Sequence, residues 1–475
     1  MSDSCNRPDV KNVTLRIGTQ TLEATVIQDG EDLMLPADVV GQILGVAVEM
    51  DAARGALTLN RQAQTEKALA GDLQAEIRQA VEREADRIQQ VNQAIYEQPE
   101  RGDEEIQAAS LLTETLEEWG FAVTRGLPGR KPDTGEEIFL QTAFRAEMQG
   151  CADGPTLAVM LEYDALPMGH GCGHNLIAAA GLAAAAGLKS VMPRLPGRLL
   201  ILGTPAEEGG TLGGKVPMIA AGHFNDVDVA MITHGGDRWD TGSPWLAVRS
   251  VTMTFKGTPA HAAAAPHQGR SALDALVLAY HGIEMMREHV RPETRMHGIV
   301  TNGGAASNIV PEEAAATYAI RSLDNAYLHE LMERIDNVAH GAALASGCTV
   351  ETRGSYGYRA PINVPRLDEK VLAYAKSLGA APVKPWVNLA SSDLGNVGEI
   401  LPTVNLWFAA APAGTELHTH EFLAAAGTKE AALAALQAGT ALALSGAELL
   451  KNPAEVARIQ EDFAARKEKM KTGGD

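Results

Sequence analysis

Four short runs of nearly unbroken apolar residues punctuate the chain: Thr156-Leu157-Ala158-Val159-Met160-Leu161, Leu199-Leu200-Ile201-Leu202, Val229-Ala230-Met231-Ile232 and Val404-Asn405-Leu406-Trp407-Phe408. Runs of this length without polar alternation predict strands buried on both faces, and the helical patterns between them predict an α/β fold with a mixed sheet covered by helices on both faces. An insertion over 248–360 separates the third run from the fourth and has its own rhythm. Val251-Thr252-Met253-Thr254-Phe255 alternates as a strand, 271–288 is helical, 314–320 alternates again and 327–345 is helical. Two strand–helix units in one block predict an inserted α+β domain. Upstream, Val13-Thr14-Leu15-Arg16-Ile17, Thr21-Leu22-Glu23-Ala24-Thr25-Val26 and Gly55-Ala56-Leu57-Thr58-Leu59 predict a small β-rich module over 12–62. A Gln/Glu/Arg-rich stretch over 65–97, with Ile77, Val81, Ile88, Val91 and Ile95 at helical spacing, predicts a long amphipathic helix. The main body then occupies 70–247 and 361–450. Asn452-Pro453-Ala454-Glu455 opens a charged closing helix and tail over 451–475.

Charge narrows the partners. Forty Lys and Arg stand against sixty Asp and Glu, a net charge of −20, with no basic run to track a phosphate backbone. Nucleic acid is excluded as a partner. The longest apolar stretch, over 176–188, is rich in Ala and Gly and falls short of the roughly 18–20 residues a membrane-spanning helix needs. The first residues contain no apolar leader, which predicts a cytoplasmic protein as the sequence stands, or an extracytoplasmic one had a signal peptide been removed. Cys5, Cys151, Cys172 and Cys348 lack the spacing of a disulfide framework and read as thiols or a metal ligand.

Ligands of open α/β sheets gather at the carboxyl ends of the strands, and each buried run is followed by polar residues. The first ends in Glu162-Tyr163-Asp164 and leads to His170-Gly171-Cys172-Gly173-His174-Asn175, the second ends in Glu207-Glu208, the third in His234, and the fourth leads to His418-Thr419-His420. Thiolate, imidazole and carboxylate donors at strand ends are what a divalent-metal site requires. Cys172 as a nucleophile with His174 as its base is the rival reading, disfavoured by their closeness in sequence. Adjacent carboxylates such as Glu207 and Glu208 can point different ways at a strand end, so one can bind metal while the other moves protons. The stretch from Gly209 to Lys215 fits G-x-x-x-x-G-K, but Val216 stands where a phosphate loop needs Ser or Thr, and two glutamates precede it. A nucleotide site is therefore rejected.

Taken with Gly257-Thr258-Pro259-Ala260-His261-Ala262, Ser307-Asn308-Ile309-Val310-Pro311 and His418-Thr419-His420-Glu421-Phe422, these motifs resemble the aminoacylase/carboxypeptidase G family of dinuclear metallopeptidases. The similarity is greatest to the branch containing p-aminobenzoyl-glutamate hydrolase and β-alanyl-lysine type dipeptidases. The resemblance implies Cys172 as the metal-bridging residue, His174 and Glu208 on one ion, and His234 and His418 on the other. It also implies Glu207 as general base, Asp164 as a supporting carboxylate, His261 as a lid histidine reaching the partner subunit's site, and Asn308 and Arg321 as the grip on a substrate carboxylate. Glu162 stands where other branches carry a metal-binding His, and His420, where relatives carry Pro, competes with His418. Residues 35–51 resemble the short stalk domain that precedes some secreted bacterial enzymes.

Together these readings predict a two-metal amide hydrolase acting on an N-acyl amino acid, an aryl-acyl glutamate or an unusual dipeptide, working as a homodimer or higher homo-oligomer. The thiolate favours zinc, with manganese or cobalt as alternatives. The competing expectation is a metal- or peptide-binding protein, or an envelope interaction protein, that retains the hydrolase fold without catalysis.

Overall fold

The computed structural model describes the strands within residues 9–60, and then residues 61–208, 213–383 and 390–471, with side chains over 73–470. In the N-terminal unit, β1 (Asp9–Ile17), β2 (Gln20–Asp29) and β3 (Asp32–Met34) form an antiparallel meander, and β4 (Ala47–Asp51) pairs with β5 (Ala56–Asn60). Much of the stalk-like motif, over 35–46, lies outside the described residues. The helix expected over 65–97 runs from Arg61 to Glu97.

The main body begins with a hairpin that the apolar pattern does not announce, β6 (Ala122–Arg130) and β7 (Glu137–Gln149). Its outer strand is half exposed and holds Gly126, Pro128 and Gly129, so it lacks the continuous apolar run of a central strand. The expected runs become β8 (Thr156–Leu161), β9 (Arg198–Gly203) and β10 (Val229–Gly236). Strand β10 is longer than its apolar run, so His234 lies within the strand rather than after it. The insertion follows as β11 (Ala247–Lys256), helix Ala272–Met286, β12 (Arg295–Asn302), β13 (Glu313–Ser322), helix Asn325–Ser346 and β14 (Thr349–Gly354). Its antiparallel sheet has the order β12-β13-β11-β14. Strands β12 and β14 flank it as largely exposed edges, which is why neither shows as an apolar alternation. The chain then returns as β15 (Thr403–Ala409).

The sheet of the main body has the order β15-β10-β8-β9-β7-β6, with the first four strands parallel and the hairpin antiparallel on one edge. From β8 the chain moves to β9 on one side and then to β10 on the other. That reversal opens a crevice at the carboxyl ends of β8 and β10, where α/β proteins bind ligands. The helical segments His174–Arg194 and Lys429–Lys451 are apolar and long enough to cross a membrane, but 83% and 72% of their apolar windows are buried inside the protein. They pack so closely that a Cβ on Gly439 would sit 2.1 Å from the Ala180 carbonyl oxygen.

Gly439→Val should therefore force the two helices apart, at a cost of about 1–3 kcal/mol from overpacking. A lowered urea midpoint with an unchanged m-value is the expected result, and a midpoint equal to wild type would contradict this packing.

Candidate metal centre and catalytic cleft

Each chemical group enters the crevice from a strand end or from a loop pinned to one. After β8 the chain passes through Glu162 and Asp164 into the Cys172 loop, where Gly173 takes φ +81° and starts the helix whose first residue is His174. A side chain at Gly173 would be strained at that φ and would press on Phe422. His418 also has a positive φ, +63°, and its N–H donates to the Gly171 carbonyl at 2.9 Å. The loop after β15 is thereby tied to the loop after β8.

The donor atoms converge. Cys172 Sγ lies 3.7 Å from His234 Nε2 and 3.4 Å from His418 Nε2, and His418 Nε2 lies 2.7 Å from Glu208 Oε1. His174 Nδ1 donates to Asp164 Oδ1 at 2.8 Å, which turns Nε2 toward the crevice, 3.6 Å from Glu162 Oε2 and 4.0 Å from Glu207 Oε2. Two donor triads share the thiol: Cys172 with His174 and His234, and Cys172 with Glu208 and His418, the atoms of each within 4.8 Å of one another. A third triad joins His174 with Glu207 and Glu208, so His174 stands within reach of both groups, and the resemblance had placed it with Glu208. His234 sits with His174 because it projects from β10 beside the Cys172 loop, whereas His418 is carried across to Glu208 by its backbone bond to Gly171. His420 is exposed and starts a separate helix.

These residues fit divalent cations. His174 Nε2 is buried without a hydrogen-bond partner, while the other ring nitrogen is held by a carboxylate, the arrangement typical of a metal-ligating histidine. Burial pushes the Cys172 thiol pKa up and lowers that of His234 to about 4, so the imidazole is neutral and its lone pair is available. Burial also pushes Glu207 well up, reinforced by the neighbouring Glu162 and Asp393 carboxylates. Glu208 behaves oppositely: burial works against its charge, but the bond to His418 and the nearby His174 hold it below the usual carboxylate range. The two adjacent glutamates thus have different proton affinities, as one base and one ligand require.

The motif reading missed the groups beneath this cluster. Lys215, wholly buried, donates from Nζ to Glu162 Oε1 and Asp393 Oδ1, both at 2.6 Å, and from its backbone N–H to Asp393 Oδ2 at 3.0 Å. Burial opposes its charge, but Asp393, Glu162 and Glu207 hold it protonated. The lysine of the rejected phosphate-loop motif therefore ties down Glu162, the residue standing where other branches have histidine; residues 209–212 of that motif lie outside the described residues. Only the glycine–lysine step signalled it, since Asp393 is 178 residues away in sequence. Trp407 is a second omission. Its ring packs on His234 with centroids 4.5 Å apart and on Trp245 at 5.6 Å.

The inserted domain holds the remaining expected residues apart from the cluster. His261 is exposed, and its Nδ1 accepts the N–H groups of Ala263 and Ala264, both at 3.2 Å. The ring proton therefore sits on Nε2. Asn308 is exposed beside it, its carbonyl accepting from Ala262 N–H. Arg321 is half-buried on β13 and donates to Ser391 Oγ at 3.2 Å.

Residues 248–345 match the family model of a peptidase dimerisation domain. The chain is 34% identical over 404 residues to the Xaa-Arg dipeptidase of Homo sapiens, covering 81% of this chain and 90% of that protein. It is 29% identical over 464 residues to a p-aminobenzoyl-glutamate hydrolase subunit of Escherichia coli strain K12, covering 81% and 93%. Among solved structures, a dinuclear metal binding peptidase from the M20 family of Bacillus subtilis shares the fold, with a TM-score of 0.60 at 21% identity, covering 77% of this chain and 98% of that one. From these likenesses and the motifs at its strand ends, the chain belongs to the aminoacylase/carboxypeptidase G group of M20 peptidases and is a metal-dependent amide hydrolase.

Proposed function

We propose that the chain hydrolyses the amide bond joining an acyl group or amino acid to a C-terminal amino acid with a free carboxylate. The observation that carries this reading is the convergence of five donor side chains, Cys172, His174, His234, Glu208 and His418, with the Glu207 carboxylate 4.0 Å from His174 Nε2. The names of the two relatives, an Xaa-Arg dipeptidase and a p-aminobenzoyl-glutamate hydrolase, share an amide to an α-amino acid and support the substrate class.

Cys172, His174 and His234 would hold one divalent cation, and Cys172, Glu208 and His418 the other, with Asp164 fixing the His174 ring. When bound, the ions supply Lewis acidity toward the amide carbonyl and lower the pKa of the attacking water, and the shared thiolate favours zinc over manganese or cobalt. Glu207, whose proton affinity is raised by burial, takes a proton from that water as it attacks and returns it to the leaving amine nitrogen. His261, protonated on Nε2, donates to the developing oxyanion of the partner subunit's substrate. Arg321 and Asn308 grip the substrate carboxylate, for which a guanidinium fork is well suited. A homodimer is supported by the match to a dimerisation domain and by the exposed Val277, Leu278, Met285, Ile299 and Val300 on that domain.

Glu207→Gln should retain its metal by elemental analysis and lose about 10²–10⁴-fold in kcat. More than a tenth of wild-type turnover would defeat its role as base. Equimolar inactive His261→Ala and Glu207→Gln subunits, allowed to exchange, should recover about a quarter of wild-type activity, since half the symmetric dimers are mixed and each has one intact site. No recovery after demonstrated exchange would count against a histidine acting across the dimer. Exhaustive chelation should abolish amine release from N-acyl amino acids and dipeptides, with zinc restoring it first among zinc, manganese and cobalt. Undiminished release from metal-free protein would overturn the reading.

A further inference from the structure

Glu105 is a wholly buried carboxylate that no Lys or Arg among the described residues pairs with, and burial raises its pKa to about 7. Such a group is costly unless its hydrogen bonds serve a purpose. Its Oε1 accepts the N–H of Ala206 at 2.6 Å, 101 residues away in sequence, and its Oε2 accepts the Thr142 hydroxyl at 2.9 Å. Ala206 has φ +59°, a left-handed conformation that costs an alanine energy and persists only where the surroundings impose it. Two residues on, the Glu208 N–H donates to Asp164 Oδ2 at 2.7 Å. The turn bearing Glu207 and Glu208 is thus slung between two buried carboxylates, Glu105 before it and Asp164 behind it. The segment leading to Glu105 is fixed to the same floor, since the Ala165 N–H donates to the Glu100 carbonyl at 2.7 Å. Among the described residues, the non-glycine residues with positive φ are Asp103, Ala206 and His418, so all three strained positions belong to this floor or to the site itself.

We propose that Glu105 is a positioning residue for the hydrolytic reaction: its carboxylate imposes the left-handed Ala206 backbone that aims Glu207 at the reacting atoms while Glu208 faces Cys172 and His418. This rests on Glu207 being the general base. Without the bond the turn relaxes, and a misplacement of about 1 Å in such a group lowers turnover by about 10²-fold.

The test compares Glu105→Ala, Glu105→Gln and Ala206→Gly in the metal-loaded full-length chain, reading kcat, KM, metal stoichiometry and cooperative unfolding. Glu105→Ala should lose about 100-fold in kcat, with KM and metal content near wild type. Glu105→Gln keeps an acceptor for the Ala206 N–H and should recover most of that loss. Glycine adopts φ +59° without strain, so in an Ala206→Gly background Glu105→Ala should cost several-fold less than in wild type. A purely structural role would leave that ratio unchanged. An unaltered kcat in Glu105→Ala overturns the proposal, as does a loss that tracks metal release or is equal in both backgrounds. Should Glu105→Ala fail to fold, Thr142→Val serves instead, removing one anchor of the carboxylate: a lowered kcat at constant KM and metal content supports the role, and unchanged kcat overturns it. Turnover retained by Glu207→Gln would remove the underlying reading, whereas an inactive Glu207→Gln beside a fully active Glu105→Ala would overturn the positioning role alone.

Discussion

The buried carboxylate of Asp164 is the constraint on which the rest of the site depends. One of its oxygens accepts the Nδ1 proton of His174 and the other the backbone N–H of Glu208. The first bond fixes the ring's orientation and leaves Nε2 facing the crevice, where burial opposes the ring's charge but the Cys172 and Asp164 groups raise its proton affinity, so a cation would take the proton's place there. The second fixes the turn after β9 against the turn after β8. A single side chain thus sets the orientation of one donor and the position of another on a neighbouring strand end. His174 and several nearby groups lose their purpose if that carboxylate moves, which explains why Asp164 is almost wholly enclosed at 1% exposure.

Charge is the complementary constraint. Glu162, Asp164, Glu207, Glu208 and Asp393 converge on a volume in which Lys215 is the buried ammonium, a crowding of carboxylates that a protein interior tolerates poorly and that, with burial, raises the proton affinity of Glu207 and Asp393. Divalent cations would relieve that crowding by taking the place of protons. Lys215 relieves it locally, holding Glu162 by one oxygen. Trp407 walls off the side of His234, keeping its surroundings dry and its imidazole neutral.

Much of this was legible in the sequence because it depends on local pattern. The runs at 156–161, 199–202, 229–232 and 404–408 are apolar because their strands are covered on both faces, and the donor side chains lie at or just beyond their ends because strand ends open on the crevice. The motifs around Cys172, Glu207 and His418 named the side chains that the fold brings together in the crevice. What escaped depends on register and distance. The hairpin β6–β7 and the strands β12 and β14 are exposed on one side and carry no continuous apolar signal. The proximity of His234 to His174 and of His418 to Glu208 depends on which loops touch, the second fixed by one backbone bond from His418 to Gly171. Lys215 with Asp393 and Glu105 with Ala206 are contacts between distant segments, and neither partner is unusual where it stands in the sequence.

The inserted domain has a consequence for biosynthesis. Strands β10 and β15 are neighbours, with His234 opposite Trp407, yet the whole insertion is translated between them. Closing so long a loop costs entropy that only completed contacts return. Cys172, His174 and His234 have all emerged before the insertion is made, whereas His418 emerges after it. During synthesis one donor triad is complete before the insertion is made, whereas the other lacks His418 until the last strand of the sheet arrives.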